Sequence, residues 1–552
     1  MKRTFVLLLA ALLASAACVQ VDNSLGKGLV DKSLLYDTYT EEFPLTQIKM
    51  KMSGDLSGYS DSHLTIGAIR DQVFGLTTRA AAFSLIPAMD TIDLGRNPHA
   101  VSFDIYFEAD TISCPNDNQR GILQNLYVYE LEQRLSQKEQ SAMQEIPHSE
   151  DRITEGLPVY SGEGALNFGF TKAFAEKYVK ALSELGPVLK ERSDAEGAID
   201  RYDDFLAAVP GIFITTDAPE GNGGRINLFN FSCLSVSSNY YYRNNNIAVL
   251  TVNSEWEGKR KDSSFVFVPG EPEFTDEVTA LKDNTKFYQY CFNQTTHQSE
   301  VMPENPDTRL LVEGGTGLKP VISAKELRDH TLQAILAKGG DPDNAVIVKA
   351  TIVLPYEMPE NYLDMNYFPA ILSPTIRTTV TSDDTDYVTF AGLTDASVSS
   401  EDQGDIDRSN LVYSPDISYH LQELLRRTDL DTATDADIWL LIIHTQKVAN
   451  ANGSLYDNSY YQNLLYASYY NSLYGGGYGG YGYGGYSGYG YGSSYSNYYN
   501  YMMLAQMMAA SSEQTYSYTT ELDKDRYYCA ILNGPDAARA PKFRVTYAFP
   551  QK

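Results

Sequence analysis

The chain has 552 residues, with 71 acidic side chains against 43 basic ones and a formal net charge of −28 at pH 7. This charge argues against a nucleic-acid-binding function, because phosphate contacts need a clustered surface of lysine and arginine. Apolar residues make up 43% and charged residues 21% of the chain, which are ordinary values for a globular protein and exclude global disorder. The length allows about two to four domains.

The first eighteen residues have the pattern of a bacterial lipoprotein signal. Lys2 and Arg3 supply a positive start, residues 5–13 form a short apolar segment, and small residues lead into Cys18. The apolar segment is too short to span a bilayer, so the pattern predicts a signal peptide over residues 1–17 and lipidation of Cys18. The alternative is an ordinary secretory cleavage that leaves Cys18 as a thiol.

The residues after Cys18 predict where the mature protein is held. Val19 stands where an aspartate would favour retention in the inner membrane, so we expect an outer-membrane location. Residues 18–40 are polar enough to act as a lipidated tether, and no later segment is long and apolar enough to cross a bilayer. Because an acidic body is repelled by anionic lipopolysaccharide, we expect the protein to face the cell surface.

Four further cysteines would lie in an oxidising compartment that permits disulfides. Four cysteines allow three pairings, and the sequence does not choose among them. Their spacing contains no C-x-x-C pair, so a zinc site is not predicted. The candidate disulfide cysteines are Cys114, Cys233, Cys291 and Cys529.

Period-two alternation of apolar residues predicts β-strands along much of the chain. Residues 101–107 and residues 126–131 alternate in this way. Residues 345–356 and residues 438–444 are almost continuously apolar, as expected of central strands that are buried on both faces. Residues 543–549 alternate again and predict a last strand with one buried face. The apolar positions of the first segment are Val101, Phe103, Ile105 and Phe107.

Helices are few in the predicted pattern. Residues 170–185 place apolar side chains at helical spacing, Ser323 and Glu326 form a capping-box pattern, and residues 419–425 suit a short third helix. The predicted fold is therefore mainly β, with two β-sandwich-like regions, a few helical insertions and a Tyr/Gly-rich low-complexity loop. The two predicted regions are residues 41–318 and residues 319–552.

A Tyr/Gly-rich segment over residues 452–512 interrupts the second region. It holds seventeen tyrosines between Tyr456 and Tyr501, and residues 458–512 contain no acidic or basic side chain. Because it lies between the predicted strand at residues 438–444 and the predicted strands over residues 530–549, we interpret it as a long loop inserted in a β-hairpin. It is either a passive surface loop or an aromatic contact surface, since tyrosine offers a large amphipathic area at a small entropic cost. The candidate partner-contact tyrosines are Tyr478, Tyr481, Tyr483, Tyr486, Tyr489 and Tyr491.

No residue pattern specifies a reaction. The seven histidines are scattered without metal-binding spacing, and no nucleophile elbow or phosphate-binding loop occurs. Acidic clusters at residues 383–386, 401–407 and 429–437 lack the register of a calcium loop and suit solvated loops better. We therefore expect no enzymatic activity, no cofactor and no metal. A hydrolase with an unrecognised pair of carboxylates is the alternative.

Several short motifs follow the lipidation signal in a collinear order. They lie at residues 22–26, 64–67, 71–75, 77–78, 126–129, 205–214, 311–315 and 541–547. The set resembles the Bacteroidota lipoproteins grouped as "domain of unknown function 4270", over most of the mature chain apart from the Tyr/Gly-rich segment. The resemblance implies a lipoprotein on the cell surface, and a similar lipoprotein belongs to the extracellular part of the β-barrel assembly machinery. It brings no catalytic residue.

Three functions therefore remain open from the sequence. The leading hypothesis is a non-enzymatic accessory or scaffolding subunit of an outer-membrane protein complex, such as the β-barrel assembly machinery, with a β-barrel protein as partner. The second is a surface lipoprotein that binds a glycan or a peptide through its tyrosines. The third is the hydrolase.

Lipidation of Cys18 is directly testable. We expect mass spectrometry of the mature N-terminal peptide to find Cys18 as the first residue, carrying acyl chains. A Cys18→Ser variant should leave the membrane fraction, because a polar tether alone has no affinity for lipid. An unmodified N-terminal peptide that starts at another residue contradicts this prediction.

Overall fold

The structure is a computed structural model of the whole chain. It describes residues 35–60, 62–89, 91–110, 119–135, 141–190, 199–230, 234–237, 240–243, 246–272, 287–288, 291–298, 307–382, 385–393, 404–433, 435–449 and 516–551. The described chain is mainly β, with several antiparallel sheets and few helices, which confirms the predicted fold class.

The strands of the first half are β1 (Tyr36–Pro44), β2 (Ile48–Met52), β3 (Tyr59–Ser60), β4 (His63–Asp71), β5 (Gly75–Phe83), β6 (Leu85–Pro87), β7 (Arg96–Phe107), β8 (Gln124–Leu131), β9 (His148–Arg152), β10 (Val159–Tyr160), β11 (Leu166–Gly169), β12 (Ile212–Thr216), β13 (Gly223–Asn230), β14 (Leu234–Ser237), β15 (Tyr240–Arg243), β16 (Ile247–Trp256), β17 (Lys259–Pro269), β18 (Glu271–Pro272), β19 (Phe287–Tyr288) and β20 (Cys291–Gln298). Those of the second half are β21 (Arg309–Glu313), β22 (Leu318–Ile322), β23 (Val346–Pro355), β24 (Ile371–Ser382), β25 (Thr385–Gly392), β26 (Ile406–Asp407), β27 (Val412–Tyr413), β28 (Ile438–Ala449), β29 (Tyr516–Leu522), β30 (Cys529–Asn533) and β31 (Lys542–Pro550).

The described helices are α1 (Lys172–Leu185), α2 (Tyr202–Ala208), α3 (Ala324–Ala337) and α4 (Ser418–Leu424), with 3-10 helices at Pro342–Asn344 and Tyr362–Tyr367. Two of the three helices predicted from the sequence match α1 and α4. The third matches α3, but its capping box is only half formed. Ser323 Oγ accepts from the backbone N–H of Glu326, while the Glu326 carboxylate accepts instead from Thr46 and Gln47.

The first hydrophobic core lies between two sheets. One sheet has the strand order β10-β8-β12-β5-β20-β3, with β4, β9 and β13 attached, and the other has the order β11-β7-β16-β17-β6. Helices α1 and α2 add aromatic side chains to the same core, whose buried residues run from Leu64 to Cys291. This arrangement is a β-sandwich with helical additions.

The second hydrophobic core is also enclosed by sheets. The sheet β1-β31-β23-β27-β26 lies on one side, and β2-β22-β28-β24-β25 lies on the other, with β29 paired to β28. Strands β21 and β30, together with α3 and α4, complete this core. The described chain therefore forms two sandwich-like bodies, the first body around the first core and the second body around the second core.

The two cores do not divide the chain at the predicted boundary between residues 318 and 319. Strand β1 pairs with β31 from Tyr36 opposite Pro550 to Pro44 opposite Lys542, and β2 pairs with β22, so residues 36–52 belong to the second core. The first five residues of β1, residues 36–40, also lie within the predicted tether. A local pattern of apolar residues does not indicate that β1 pairs with β31, which lies about 500 residues later in the sequence.

Three of the predicted strands have the expected burial. In β31, Phe543, Val545, Tyr547 and Phe549 all point into the second core. Strand β28 is buried on both faces over residues 438–443, because its even positions face the second core while Trp439 and Leu441 join a smaller cluster on the other face. Strand β8 alternates as predicted.

Two of the predictions about burial are wrong. Val101 is 54% exposed, because β7 bulges there against β16: Ser102 pairs with Thr251 and Ala100 with Val252, so Val101 is passed over and turned outward. The apolar run at residues 345–356 forms β23, which is buried on one face only. Val346 and Val348 are exposed on the other face.

The strands on either side of the Tyr/Gly-rich segment pair with each other. Strands β28 and β29 form an antiparallel ladder from Ile443 opposite Leu522 to Ala449 opposite Tyr516. A β-hairpin therefore flanks the segment, but its second strand is β29 and not the predicted strands over residues 530–549. Of those, β30 pairs with β21, and β31 pairs with β1 and β23. Residues 450–515 themselves lie outside the described residues.

The bulge in β7 generates a matched pair of stability tests. Phe103 is buried against Phe170, Tyr178 and Phe267, so we expect Phe103→Ala to lower the free energy of unfolding by about 3–5 kcal/mol. Val101→Ala, two residues away, should change it by less than about 0.5 kcal/mol. Denaturant unfolding of both variants measures this, and equal effects would contradict the assigned register.

Candidate functional site between the two cores

A histidine sits between two carboxylates where the cores meet. His63 begins β4, and its Nε2 lies 3.0 Å from Asp110 Oδ2, just after β7. Its Nδ1 lies 3.7 Å from Asp525 Oδ2, which belongs to the turn between β29 and β30 of the second core. Burial lowers the pKa of His63, but the hydrogen bonds and charges of both aspartates outweigh burial and raise it to about 9. The imidazole is therefore protonated at neutral pH.

Asp525 is held by polar groups of the first body. Ser60 Oγ donates to Asp525 Oδ2 (2.7 Å), and Asn293 Nδ2 donates to Asp525 Oδ1 (3.2 Å). Burial raises the pKa of Asp525, but the hydrogen bond and charge of His63 lower it to about 2. In the same turn, Arg79 Nη1 donates to the carbonyl oxygen of Lys524 (3.0 Å). Side chains of the first body thus fix the turn that follows β29.

A second buried polar cluster adjoins the first. It is built around the turn between β21 and β22, and Lys319 and Glu313 are its charged members, both almost completely buried. Lys319 Nζ donates to the carbonyl oxygens of Glu313, Gly315 (3.0 Å) and Gly317 (3.1 Å). Burial lowers the pKa of Lys319 and raises that of Glu313. The ammonium group therefore organises the turn that faces the first body.

His297 at the end of β20 completes the second cluster. Its Nε2 lies 3.2 Å from Thr316 Oγ1, and its Nδ1 lies 3.2 Å from Thr77 Oγ1. The Glu313 carboxylate lies 3.9 Å from the same Nδ1. Burial, with the charges of Arg79 and Lys319, lowers the pKa of His297 to about 3, so this imidazole is neutral while His63 is charged.

A small cleft of about 70 Å³ opens beside His63. His444, Asp523 and Arg526 also line it, and His444 Nδ1 lies 3.7 Å from Asp523 Oδ2. Both ring nitrogens of His63 face carboxylates, and Ser60 donates to Asp525 rather than to the histidine. A serine nucleophile activated by His63 is therefore not assembled at this cleft.

The structure describes only some of the cysteines and tyrosines that the sequence analysis selected as candidate sites. Cys18, Cys114 and Cys233 lie outside the described residues, as do all six candidate tyrosines. Cys291 and Cys529 are described and are not bonded to each other. Cys291 Sγ lies 3.3 Å from the carbonyl oxygen of His63, and burial raises the pKa of the Cys529 thiol.

The acidic cluster at residues 429–437 is neutralised by basic side chains. Arg427 contacts both Asp429 (2.6 Å) and Asp435 (3.0 Å), and Lys325 lies 3.3 Å from Asp431. Within the described ranges, no group of three or more histidine, cysteine, aspartate or glutamate side chains could hold a metal ion.

Sequence reasoning did not find the residues that meet between the cores. His63 was counted among seven scattered histidines, and Asp525 belongs to no motif. The motif at residues 311–315 does contain Glu313 and Gly315, but its pattern carries no chemical signal. The spacing of residues within a local segment cannot indicate that β4 contacts a turn hundreds of residues away in the sequence.

Comparisons with known proteins add no relative. Protein-family models, curated proteins and solved structures were compared with the chain, and none matches. Among the described helices, none has the length and apolar character needed to cross a membrane.

The His63 contact predicts a specific pH dependence of stability. The folded pKa of about 9 is above the unfolded value of about 6.5, so the contact stabilises the fold fully below about pH 6.5 and is lost as pH rises through 9. We therefore expect the loss of unfolding free energy caused by His63→Gln to be larger at acid-to-neutral pH than above pH 9. The difference between the folded and unfolded pKa values corresponds to up to about 3 kcal/mol.

Denaturant unfolding of wild type and variant across this pH range measures the difference. His99→Gln is the matched control, because the same substitution is made there on a side chain that is 63% exposed. A destabilisation by His63→Gln that is independent of pH would contradict the charged state of His63.

Proposed function

We propose that this protein is a non-enzymatic, lipid-anchored outer-membrane protein that faces the cell surface. It acts as an accessory or scaffolding subunit of an outer-membrane protein complex, such as the β-barrel assembly machinery. The observation that carries the proposal is the β28–β29 hairpin, because the connection between its two strands contains the uncharged, tyrosine-rich residues 458–512.

The base of this hairpin is firmly held. Residues 438–443 of β28 are buried on both faces, and the turn after β29 is bound to the first body through Asp525. A segment attached at such a base is presented from a fixed position on the molecule. This supports a role in contacting a partner, because the two strands that carry the segment need no further ordering on binding.

The composition of the segment suits a protein interface. Aromatic residues and methionine are enriched at the centres of interfaces, and charged residues are depleted there. Exposure of so many aromatic residues without a partner would favour aggregation. A protein held at the outer membrane by lipid lies next to the membrane surface. The extracellular loops and aromatic girdles of β-barrel proteins lie at the same level, so β-barrel proteins are suitable partners.

Deletion of residues 458–512 tests this proposal. We expect the deleted protein to be at least as stable as wild type, because a shorter loop costs less to close, by on the order of 0.6 kcal/mol for each halving of its length. Recovery of an outer-membrane barrel in a detergent pull-down should fall strongly relative to wild type. Substitution of Tyr478, Tyr481, Tyr483, Tyr486, Tyr489 and Tyr491 by serine should weaken recovery, whereas phenylalanine at the same positions should largely keep it.

The outcomes separate the three functions. Equal recovery of the same barrel by wild-type and deleted protein, or no barrel with either, rules out the interface. Loss of glycan binding by the purified deleted protein, with no barrel recovered by wild type, favours the carbohydrate-binding alternative. Hydrolysis of a glycan or peptide by purified wild type would favour the hydrolase.

A further inference from the structure

The turn between β21 and β22 places a hydroxyl group against a neutral imidazole. Gly317 N donates to the carbonyl oxygen of Gly314 (3.2 Å), which closes a tight turn with Gly315 and Thr316 at its centre. Gly315 has φ +56°, a left-handed conformation that suits glycine. Thr316 Oγ1 lies 3.2 Å from His297 Nε2, within hydrogen-bonding distance of a proton acceptor.

The other ring nitrogen of His297 faces acceptors. Nδ1 lies 3.2 Å from Thr77 Oγ1 and 3.9 Å from Glu313 Oε1. A proton on Nδ1 is therefore favoured, and this leaves the lone pair of Nε2 directed at the Thr316 hydroxyl. Glu313 Oε1 is buried and accepts no hydrogen bond from the described residues, so it is a further acceptor at this side of the ring.

The carbonyl group that precedes Thr316 is polarised by two buried donors. Gly315 O accepts from Lys319 Nζ (3.0 Å), and it shares the single proton of the Ser53 hydroxyl with Gly317 O, because Ser53 Oγ lies 3.0 Å from each of the two carbonyl oxygens. Both donor residues are no more than 1% exposed. Donors fixed in a water-excluded site stabilise negative charge that develops on a carbonyl oxygen, as in the oxyanion holes of acyl-transfer enzymes.

We propose that this turn is a self-cleavage site, at which the Thr316 hydroxyl attacks the carbonyl carbon of Gly315 and the chain is cut between these two residues. The inference goes beyond the scaffolding function and does not depend on it. The arrangement joins a nucleophile, a base and an oxyanion site around one peptide bond.

The reaction has two steps. In the first, Thr316 Oγ bonds to the Gly315 carbonyl carbon while its proton passes to His297 Nε2, and the carbonyl electron pair moves onto the oxygen held by Lys319 and Ser53. The intermediate then collapses, the C–N bond breaks, and the Thr316 nitrogen takes the proton back from His297. The product is an ester between Gly315 and the Thr316 side chain, with a free Thr316 amine.

In the second step, one water molecule hydrolyses the ester. A cavity of about 10 Å³, close to the minimum for one water, touches both Gly315 and Thr316. Arg79 and Asn293 also line it, so it offers the polar partners that an ordered water needs. Hydrolysis leaves a carboxylate on Gly315, releases a proton and restores the Thr316 hydroxyl. The net change is the addition of one water to one peptide bond.

The environment of His297 sets the expected rate. Its low pKa, caused mainly by burial, keeps the ring neutral and able to accept a proton at neutral pH. The same low basicity makes the ring a weak acceptor, because proton transfer is most efficient when the pKa is near the working pH. We therefore expect a slow, single-turnover reaction.

Cleavage would not separate the two pieces under native conditions. Strands β1, β2 and β21 precede the cut, and they pair with β31, β22 and β30 beyond it. The fragments should stay together until the protein is denatured, so the cut is visible only on a denaturing gel or by mass spectrometry.

The test follows purified full-length protein over days at neutral to mildly alkaline pH. We expect fragments that end at Gly315 and begin at Thr316, identified by intact mass and N-terminal sequencing. Hydroxylamine should increase their yield and leave a hydroxamate on Gly315, because it attacks the ester. Wild type that stays full-length both with and without hydroxylamine overturns the proposal without the use of any variant.

Variants assign the roles. Thr316→Ser keeps the hydroxyl and should still cleave, Thr316→Ala should not cleave, and His297→Gln should slow cleavage by on the order of 100-fold. Thr296→Val is the matched control, because Thr296 is exposed on the same strand and should cleave as wild type. Cleavage of Thr316→Ala at the wild-type rate would overturn the proposal and point to a contaminating protease.

Discussion

The arrangement of the two bodies depends on the buried contact between Asp525 and His63. A carboxylate in this position is costly unless a positive charge and hydrogen-bond donors accompany it. The second body supplies the carboxylate, and the first supplies the histidine with Ser60 and Asn293. Separation of the bodies would leave these polar groups without their partners, so electrostatics oppose it. The same contact fixes the turn between β29 and β30.

The path of the chain adds a second constraint. Strands β1 and β2 cross from the N-terminal end into the sheets of the second core, and β1 lies beside the last strand, β31. A lipid attached at Cys18 would therefore hold the protein through the second body, since residues 18–35 connect directly to β1. The first body, whose core begins at Leu64, is inserted between strands of the second one. The β28–β29 hairpin belongs to the same second body.

The local sequence pattern correctly predicted those elements whose burial depends only on the spacing of their own apolar residues. Strand β31 and helix α1 are examples, because every second residue of the one and every third or fourth residue of the other faces a core. The pattern failed at Val101, where a bulge against β16 reverses the alternation, and at β23, where the apolar run is covered on one face only. In both cases the outcome depends on the partner strand, about which a local segment carries no information.

The polar cluster between the cores could not be predicted from the sequence for a related reason. Its residues are hundreds of positions apart in the sequence and come together only in the fold. A single charged side chain does not repeat at a regular spacing, so no sequence pattern indicates its partners. His63 and His297 show the consequence. Both are histidines in the same sheet, yet two aspartates keep the first protonated while burial beside Arg79 and Lys319 keeps the second neutral. A sequence assigns the same ordinary pKa to each.

The hairpin that carries the Tyr/Gly-rich segment shows how the buried contacts and the surface role are connected. Beyond Ile443, β28 pairs only with β29 among the described strands, and a two-stranded ribbon is marginally stable in water by itself. The ordered conformation of this ribbon must therefore be stabilised by the residues at its base. On one strand the base is the buried stretch of β28, and on the other it is the turn in which Asp523 N donates to Ile442 O and Asp525 meets His63. A change at His63 would act on the ribbon through this turn, although the histidine belongs to the other body.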